Sequence, residues 1–325
     1  MDANVNPSDF RQRVPIRIYS HEGVTMIDWI DLDEHGLREP FFEDTVHRLL
    51  RLPYNQLFRA QTSLDELQTL YNDDRRADPT GFIFHISRCG STLVSQMLAA
   101  SERNIVVSEA PPIDRVIRNR GSLPDTLGWI LNAYAPSRES GRRFFVKFDS
   151  WALSHTDAIL DAFPHVPWIF LYREPVEVIV SLLRQPGYHA VPGMIDAAAP
   201  HLTPQELLSI TREEYCARVI GRFCEQGLGL AARPNGKLIN YTQLPRAVMS
   251  EISGHFQIAL TEDEIHSMQR ASGRSAKRPY EAFEPDSVSK RAEASAQVRD
   301  AADNWVRPFY ERLEALRTTA SAVSQ

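Results

Sequence analysis

Cysteine is scarce in this sequence. Cys89, Cys216 and Cys224 are the three in 325 residues, and they form neither a C-x-x-C pair nor a cluster with histidine. A disulfide framework and a cysteine-rich metal site are therefore not expected, and a reducing compartment, the cytoplasm, is. Long apolar runs are also missing. No stretch approaches the roughly 20 apolar residues of a membrane span, and the opening Met1-Asp-Ala-Asn4 has neither a basic nor an apolar leader segment, so no membrane partner is expected. Positive charge is not in excess: 36 Lys and Arg stand against 42 Asp and Glu, a net charge of -6. Long-range attraction to nucleic acid is excluded, and any anionic ligand must be gripped by a local basic pocket. The ten histidines are scattered without an H-E-x-x-H pair, which points away from a metal.

What is present is a globular composition. With 43% hydrophobic and 24% charged residues, the chain has enough apolar material for one large core and a smaller appendage. Residues 1–78 form the first region. Val14–Tyr19 and Val24–Trp29 read as a hairpin, Phe41–Leu52 as a helix, and Ser63-Leu-Asp-Glu66 as a capping box opening a helix to about Tyr71. No catalytic pattern appears there, and the polar run Asn72–Thr80 separates it from a second region over residues 79–325.

From Gly81 onward strands and helices alternate. Strands are expected at Phe82–Ile86, Ile105–Val107, Arg143–Phe148, Trp168–Tyr172 and Lys237–Tyr241. Helices fit at Leu93–Ala100, Pro112–Asn119, Leu123–Tyr134, Trp151–Phe163 and Val176–Leu183. Thr203-Pro-Gln-Glu206 opens a long helix to about Leu230, and Thr261-Glu-Asp-Glu264 opens another. The span Asp286–Leu316 is helical in pattern, with Pro308 kinking or splitting it, while Lys290 and Arg291 read as surface. The fold class is α/β: a parallel sheet with helices on both faces, preceded by a small α+β region.

The stretch Gly81–Leu98 has the order buried strand, tight polar turn, amphipathic helix, and that order makes an anion site. The N–H groups of a first helical turn point into the loop before it, where the helix dipole favours negative charge, and Gly90 permits close approach. The loop lacks G-x-x-x-x-G-K-[ST], and Arg88 is its only side-chain cation, which argues against ordinary ATP chemistry. A parallel sheet also delivers Arg88, Glu109, Lys147 and Arg173 to one place, the carboxyl ends of four strands, where open sheets bind ligands.

Two stretches carry a family resemblance. Arg88-Cys-Gly-Ser-Thr92 after a strand resembles the 5′-phosphosulfate loop of sulfotransferases that use 3′-phosphoadenosine 5′-phosphosulfate (PAPS), with Cys89 in place of the usual serine and Ser87 in place of proline. Trp168–Ser181 resembles the family's 3′-phosphate motif, a strand ending in Arg173 with Ser181 eight positions on. In motif the chain is similar to bacterial and tyrosylprotein-type members, and the likeness covers about residues 81–280. It implies a P-loop nucleotide-binding fold, PAPS as co-substrate, no metal, and a small-molecule or peptide acceptor. It further implies that Arg88, Cys89, Gly90, Ser91 and Thr92 hold the phosphosulfate, and that Arg173 and Ser181 hold the 3′-phosphate. Lys147 touches the transferring group. Glu109 is the implied base, with Asp149 the runner-up where cytosolic members place a histidine; an N-terminal helix charge is the plainer reading of either acid. Tyr241 corresponds to a strand-end residue near adenine. Lys277 and Arg278, in the basic turn Ser272–Tyr280, either close over the 3′-phosphate or are a solvated turn. Trp129, Tyr134 and residues 187–200 are candidate acceptor-pocket walls. A P-loop ATP-dependent kinase and a non-catalytic nucleotide-binding accessory protein remain the alternatives.

Overall fold

The computed structural model describes residues 13–71, 78–118, 123–135, 140–194 and 202–323. An antiparallel sheet comes first. Strands β1 (Arg13–His21) and β2 (Val24–Asp31) form the expected hairpin, and β3 (Ala60–Ser63) adds a third strand beside β2. β3 was not foreseen because Ala-Gln-Thr-Ser has no apolar alternation. Its place is fixed by a tertiary contact, the Trp29 indole N–H donating to Thr62 Oγ1 at 2.8 Å in the core. The helices Phe42–Leu49 and Leu64–Tyr71 flank this sheet, the second opened by the Ser63–Glu66 capping box as expected.

Five parallel strands follow: β4 (Gly81–His85), β5 (Asn104–Ser108), β6 (Arg143–Lys147), β7 (Trp168–Tyr172) and β8 (Gly236–Asn240), in the order β5-β6-β4-β7-β8. β4 and β7 are buried at every position, because a parallel sheet is covered on both faces. On one face Phe82, Phe84, Phe148, Phe163 and Trp168 form an aromatic cluster. On the other, Phe145 packs against Phe256. The expected fold class is the observed one.

The strand order places a topological switch at β4. The chain leaves β4 for β5 and β6 on one side and returns to β7 and β8 on the other, so the crevice opens at the carboxyl end of β4. Helix Ser91–Ala99 starts at that point.

Several helices differ from expectation, each for a local reason. The single long helix expected from Thr203 is two, Pro204–Ser209 and Arg212–Ala231, because Thr211 is a second N-cap whose side chain accepts from the Glu214 N–H. Residues 150–155 form a 3₁₀ turn before the helix Thr156–Ala162. The C-terminal span is three helices, Ser287–Glu293, Ala296–Trp305 and Arg307–Val323. Ser295 caps the second, and Pro308 stands in the first turn of the third, where a missing N–H costs nothing. Part of the basic turn is a short ribbon of β9 (Arg274–Ser275) with β10 (Arg278–Ala282).

The antiparallel sheet packs on the helices Pro111–Arg118 and Leu123–Tyr134, and buried apolar side chains continue from Val14, Ile27 and Trp29 into the rest of the core. Tyr134 belongs to that junction: its buried hydroxyl donates to the Pro15 carbonyl at 2.6 Å. It is a core residue rather than the pocket wall expected. Residues 195–200 of the other expected wall lie outside the described residues. Among the described residues no helix is long and apolar enough to cross a membrane.

Candidate active site

The turn after β4 is held in an uncommon backbone conformation. Ser87, Arg88 and Gly90 have φ of 72°, 53° and 89°. Left-handed residues other than glycine cost about 1–3 kcal/mol each and gather at ligand clamps. At Gly90 the conformation is joined by crowding, since a Cβ there would sit 2.7 Å from Leu244 Cδ1 and 2.9 Å from Tyr241 Cδ2. The turn thus presents main chain to the crevice and leads straight into the N-terminus of helix Ser91–Ala99. Ser91 and Thr92 are buried in its first turn. Cys89 is fully buried, and burial pushes its thiol up to about 12, so it packs as a small neutral side chain. The Arg88 guanidinium reaches across the crevice to donate to the Gln185 carbonyl.

Beside the loop lies a chain of ionisable groups. Lys147 ends β6 with 1% exposure, and its Nζ is 2.9 Å from Glu109 Oε1. That contact is an ion pair, and among the described residues the ammonium makes no well-angled hydrogen bond. Glu109 is also left-handed, at φ 55°, and its N–H donates to the Lys147 carbonyl at 2.8 Å, which pins it to the end of β6. A fifth of its side-chain surface stays open, whereas that of Lys147 is closed. Burial works to raise the Glu109 carboxyl; the Lys147 charge and the hydrogen bond from His85 outweigh burial and hold it below the usual carboxylate range.

His85 carries no motif, and the strand expected to run to Ile86 ends on it as the last residue of β4. Its Nδ1 accepts the Ser87 N–H at 3.0 Å, so the proton is on Nε2, 3.3 Å from Glu109 Oε1. The signal was its place immediately before the loop. Asp149 completes the group, with burial and then the Glu109 charge raising its carboxyl. Asp114 is raised well above its ordinary value by burial and then by Asp149 and Glu109. Three carboxyls share one region: the ion pair with Lys147 holds Glu109 low, while burial raises Asp149 and Asp114.

A second cationic site adjoins the first. Arg173, just past β7, is buried, and its guanidinium stacks 3.8 Å from the centre of the Tyr241 ring. Tyr241 is the ring that crowds Gly90, so loop and Arg173 border one side chain. Glu177, four residues on, accepts from Arg173 Nε at 2.6 Å, and Asp286 and Ser287 accept from Nη2 at 2.8 and 3.1 Å. Ser181 lies one turn beyond Glu177 on the helix Pro175–Arg184. Lys290 and Arg291 both join this network: Lys290, contrary to the surface expected, is 4% exposed with Nζ 2.7 Å from Asp286 Oδ2, while Arg291 stands on the surface as expected and places Nη2 2.6 Å from Glu177 Oε1. The i, i+4 spacing of Arg173 and Glu177 was legible; the distant Asp286 and Ser287 were not.

Lys277 reaches the first site rather than the second. Its surroundings, then the Arg88 and Lys147 charges, lower it to about 8, although part of its surface remains open to solvent. The ring of Phe41 lies 5.0 Å from Lys147 Nζ and 5.8 Å from Lys277 Nζ, so the N-terminal region supplies an aromatic wall. The side chain of Arg278 lies outside the described residues.

No protein-family model and no curated protein matches the sequence. Among solved structures the chain is similar to sulfotransferase STF1 from Mycobacterium tuberculosis H37Rv, at 12% identity over 74% of this chain and 80% of that one, with a TM-score of 0.43. It is also similar to a sulfotransferase from Alicyclobacillus acidocaldarius, at 16% identity over 74% and 96%, TM-score 0.45. A third is retinol dehydratase in complex with androsterone and the inactive cofactor PAP, at 13% identity over 97% and 94%, TM-score 0.33. At these identities and scores the likeness is one of general fold, and what the site does follows from its side chains.

Proposed function

We propose that this protein transfers a sulfuryl group from PAPS to a hydroxyl or amine of an acceptor, without a metal. The observation that carries the reading is Tyr241, whose ring borders both the left-handed loop at Gly90 and the guanidinium of Arg173. One adenine nucleotide bearing a 5′-phosphosulfate and a separate 3′-phosphate presents two anions to such a pair of sites. The residues fit that guest. Backbone N–H groups of the loop with Arg88, Ser91 and Thr92 take the phosphosulfate, and Arg173 with Ser181 takes the 3′-phosphate. Lys147, an ammonium closed off from water and without a well-angled hydrogen bond among the described residues, has donors free for a sulfuryl oxygen.

The chemistry then follows from charge. Sulfuryl transfer resembles phosphoryl transfer, with a loose transition state and charge growing on the departing phosphate oxygen. The acceptor oxygen or nitrogen bonds to sulfur, the bond from sulfur to the bridging phosphate oxygen breaks, and the nucleotide leaves as adenosine 3′,5′-bisphosphate (PAP). Each preorganised donor aimed at the growing charge lowers the barrier by roughly 3 kcal/mol. The acceptor proton goes to Glu109, the ionised and partly open carboxylate, once Lys147 turns to the sulfuryl group; Asp149 is the second carboxyl in range.

The test uses binding and turnover together. PAP is expected to raise the melting temperature without Mg²⁺, and ATP to raise it much less. Labelled sulfate from PAPS is expected on at least one member of a panel of phenols, alcohols, amines and tyrosine peptides. Equal stabilisation by Mg²⁺-ATP would make the protein a kinase. PAP binding with no transfer to any panel member would make it a non-catalytic binding protein.

A further inference from the structure

We infer that His189 contacts the nucleophilic group of the acceptor, holding it beside Glu109. The inference rests on the sulfotransferase reading and adds to it a residue that no sequence motif marks. His189 sits in the short 3₁₀ turn Tyr188–Ala190, beyond the helix that begins after Arg173. It is 6% exposed, and its Nε2 is buried with no hydrogen-bond partner among the described residues. A buried polar nitrogen left unpaired costs about 1–3 kcal/mol, so such a group calls for a partner from outside the chain.

The ring is firmly seated. It lies on the backbone of Gly187, where a Cβ would stand 2.7 Å from His189 Cε1, and packs at 5.6 Å against the Phe223 ring. Glycine at 187 is what admits the imidazole. The segment is tied to the loop two residues earlier, where Arg88 donates to both the carbonyl and the side chain of Gln185. Through that bond the segment borders the loop, and Arg88, Glu109 and Lys277 are among the charges that act on His189.

The other polar groups of that edge already have roles. Arg88 and Lys147 face the transferring anion, and Glu109 takes the proton. Burial first, then nearby positive charges that include Arg88 and Lys277, lower His189 to about 4, so it is neutral near pH 7. A neutral imidazole offers little to a sulfuryl anion and suits an uncharged hydroxyl or amine. When the anionic nucleotide binds, it offsets Arg88 and Lys277, and the basicity of His189 rises.

Two readouts test this. In the wild-type protein the His189 ring, followed by ¹H–¹³C NMR, is expected to titrate near the low value and to shift upward by about 1 pH unit or more when PAP is added. For the best panel acceptor, His189→Phe, which keeps a ring against Gly187 and Phe223, is expected to lose about 100-fold in acceptor kcat/KM with PAP affinity unchanged. His189→Asn, which retains a hydrogen-bonding nitrogen, is expected to recover part of that loss. A midpoint unmoved by PAP, acceptor kcat/KM within about threefold of wild type in folded His189→Phe, or a loss confined to the KM for PAPS overturns the inference. If wild type binds no PAP, the sulfotransferase reading falls first and this inference with it.

Discussion

The two sheets of this molecule treat polar side chains in opposite ways. In the antiparallel sheet the charged residues pair across the ladder, Arg13 with Asp31 and Arg17 with Asp28, and the Arg17 side chain remains 64% exposed. In the parallel sheet β4 and β7 are closed to water along their length, and the chemistry-bearing side chains stand at or just past the carboxyl ends, as His85, Glu109, Lys147 and Arg173. In the first set water screens the exposed Arg17, so its pair with Asp28 contributes little. The second set is desolvated, so each charge depends on its neighbours and each can be aimed at a ligand. Phe41 is where the two regions meet chemically, its ring facing Lys147 and Lys277.

That contrast is broken most severely at Glu109. Glu109→Gln is expected to cut turnover by about 100-fold or more while PAP still binds, measured by labelled-sulfate transfer and calorimetry. Retained turnover would move the base to Asp149.

Lys147→Met comes next. It should abolish most transfer, and it also removes the main influence that lowers Glu109, leaving burial to raise it. In wild type a depressed carboxyl adds stability above its unfolded pKa and loses it as pH falls toward the folded value. The stability gap between wild type and Lys147→Met should therefore be widest near about pH 7 and narrow toward about pH 3, followed by urea unfolding across that range. A constant gap would mean the ion pair does not set the Glu109 charge.

Gly90→Ala tests the loop. The left-handed φ and the contacts with Leu244 and Tyr241 predict a loss of about 1–3 kcal/mol in unfolding free energy and weakened PAP binding. The smallest effect belongs to the other sheet: Arg17→Ala is expected to cost less than about 1 kcal/mol and to leave PAP binding unchanged. A larger cost there would show that the antiparallel sheet also leans on charge.

Local patterns decided much of this in advance. The apolar runs of β4, β6 and β7, the S/T-x-x-E caps at Ser63, Thr203 and Thr261, and the strand–turn–helix order around Arg88 all act over a few residues, so they were legible from the order of side chains alone. Contacts between segments far apart in the chain left no such trace. β3 is set by Thr62 against Trp29, the Arg173 network by Asp286 and Ser287, and the aromatic wall by Phe41.

By itself the sequence determined an α/β chain with a strand–turn–helix junction after its first parallel strand, because turn conformations and hydrophobic periodicity are short-range properties. Only the tertiary structure decided that Lys147 holds the Glu109 carboxyl low, that His85 turns one nitrogen to the loop and the other to Glu109, and that His189 buries a nitrogen without a partner among the described residues. Those outcomes depend on desolvation and on distances between groups that chain order does not encode locally.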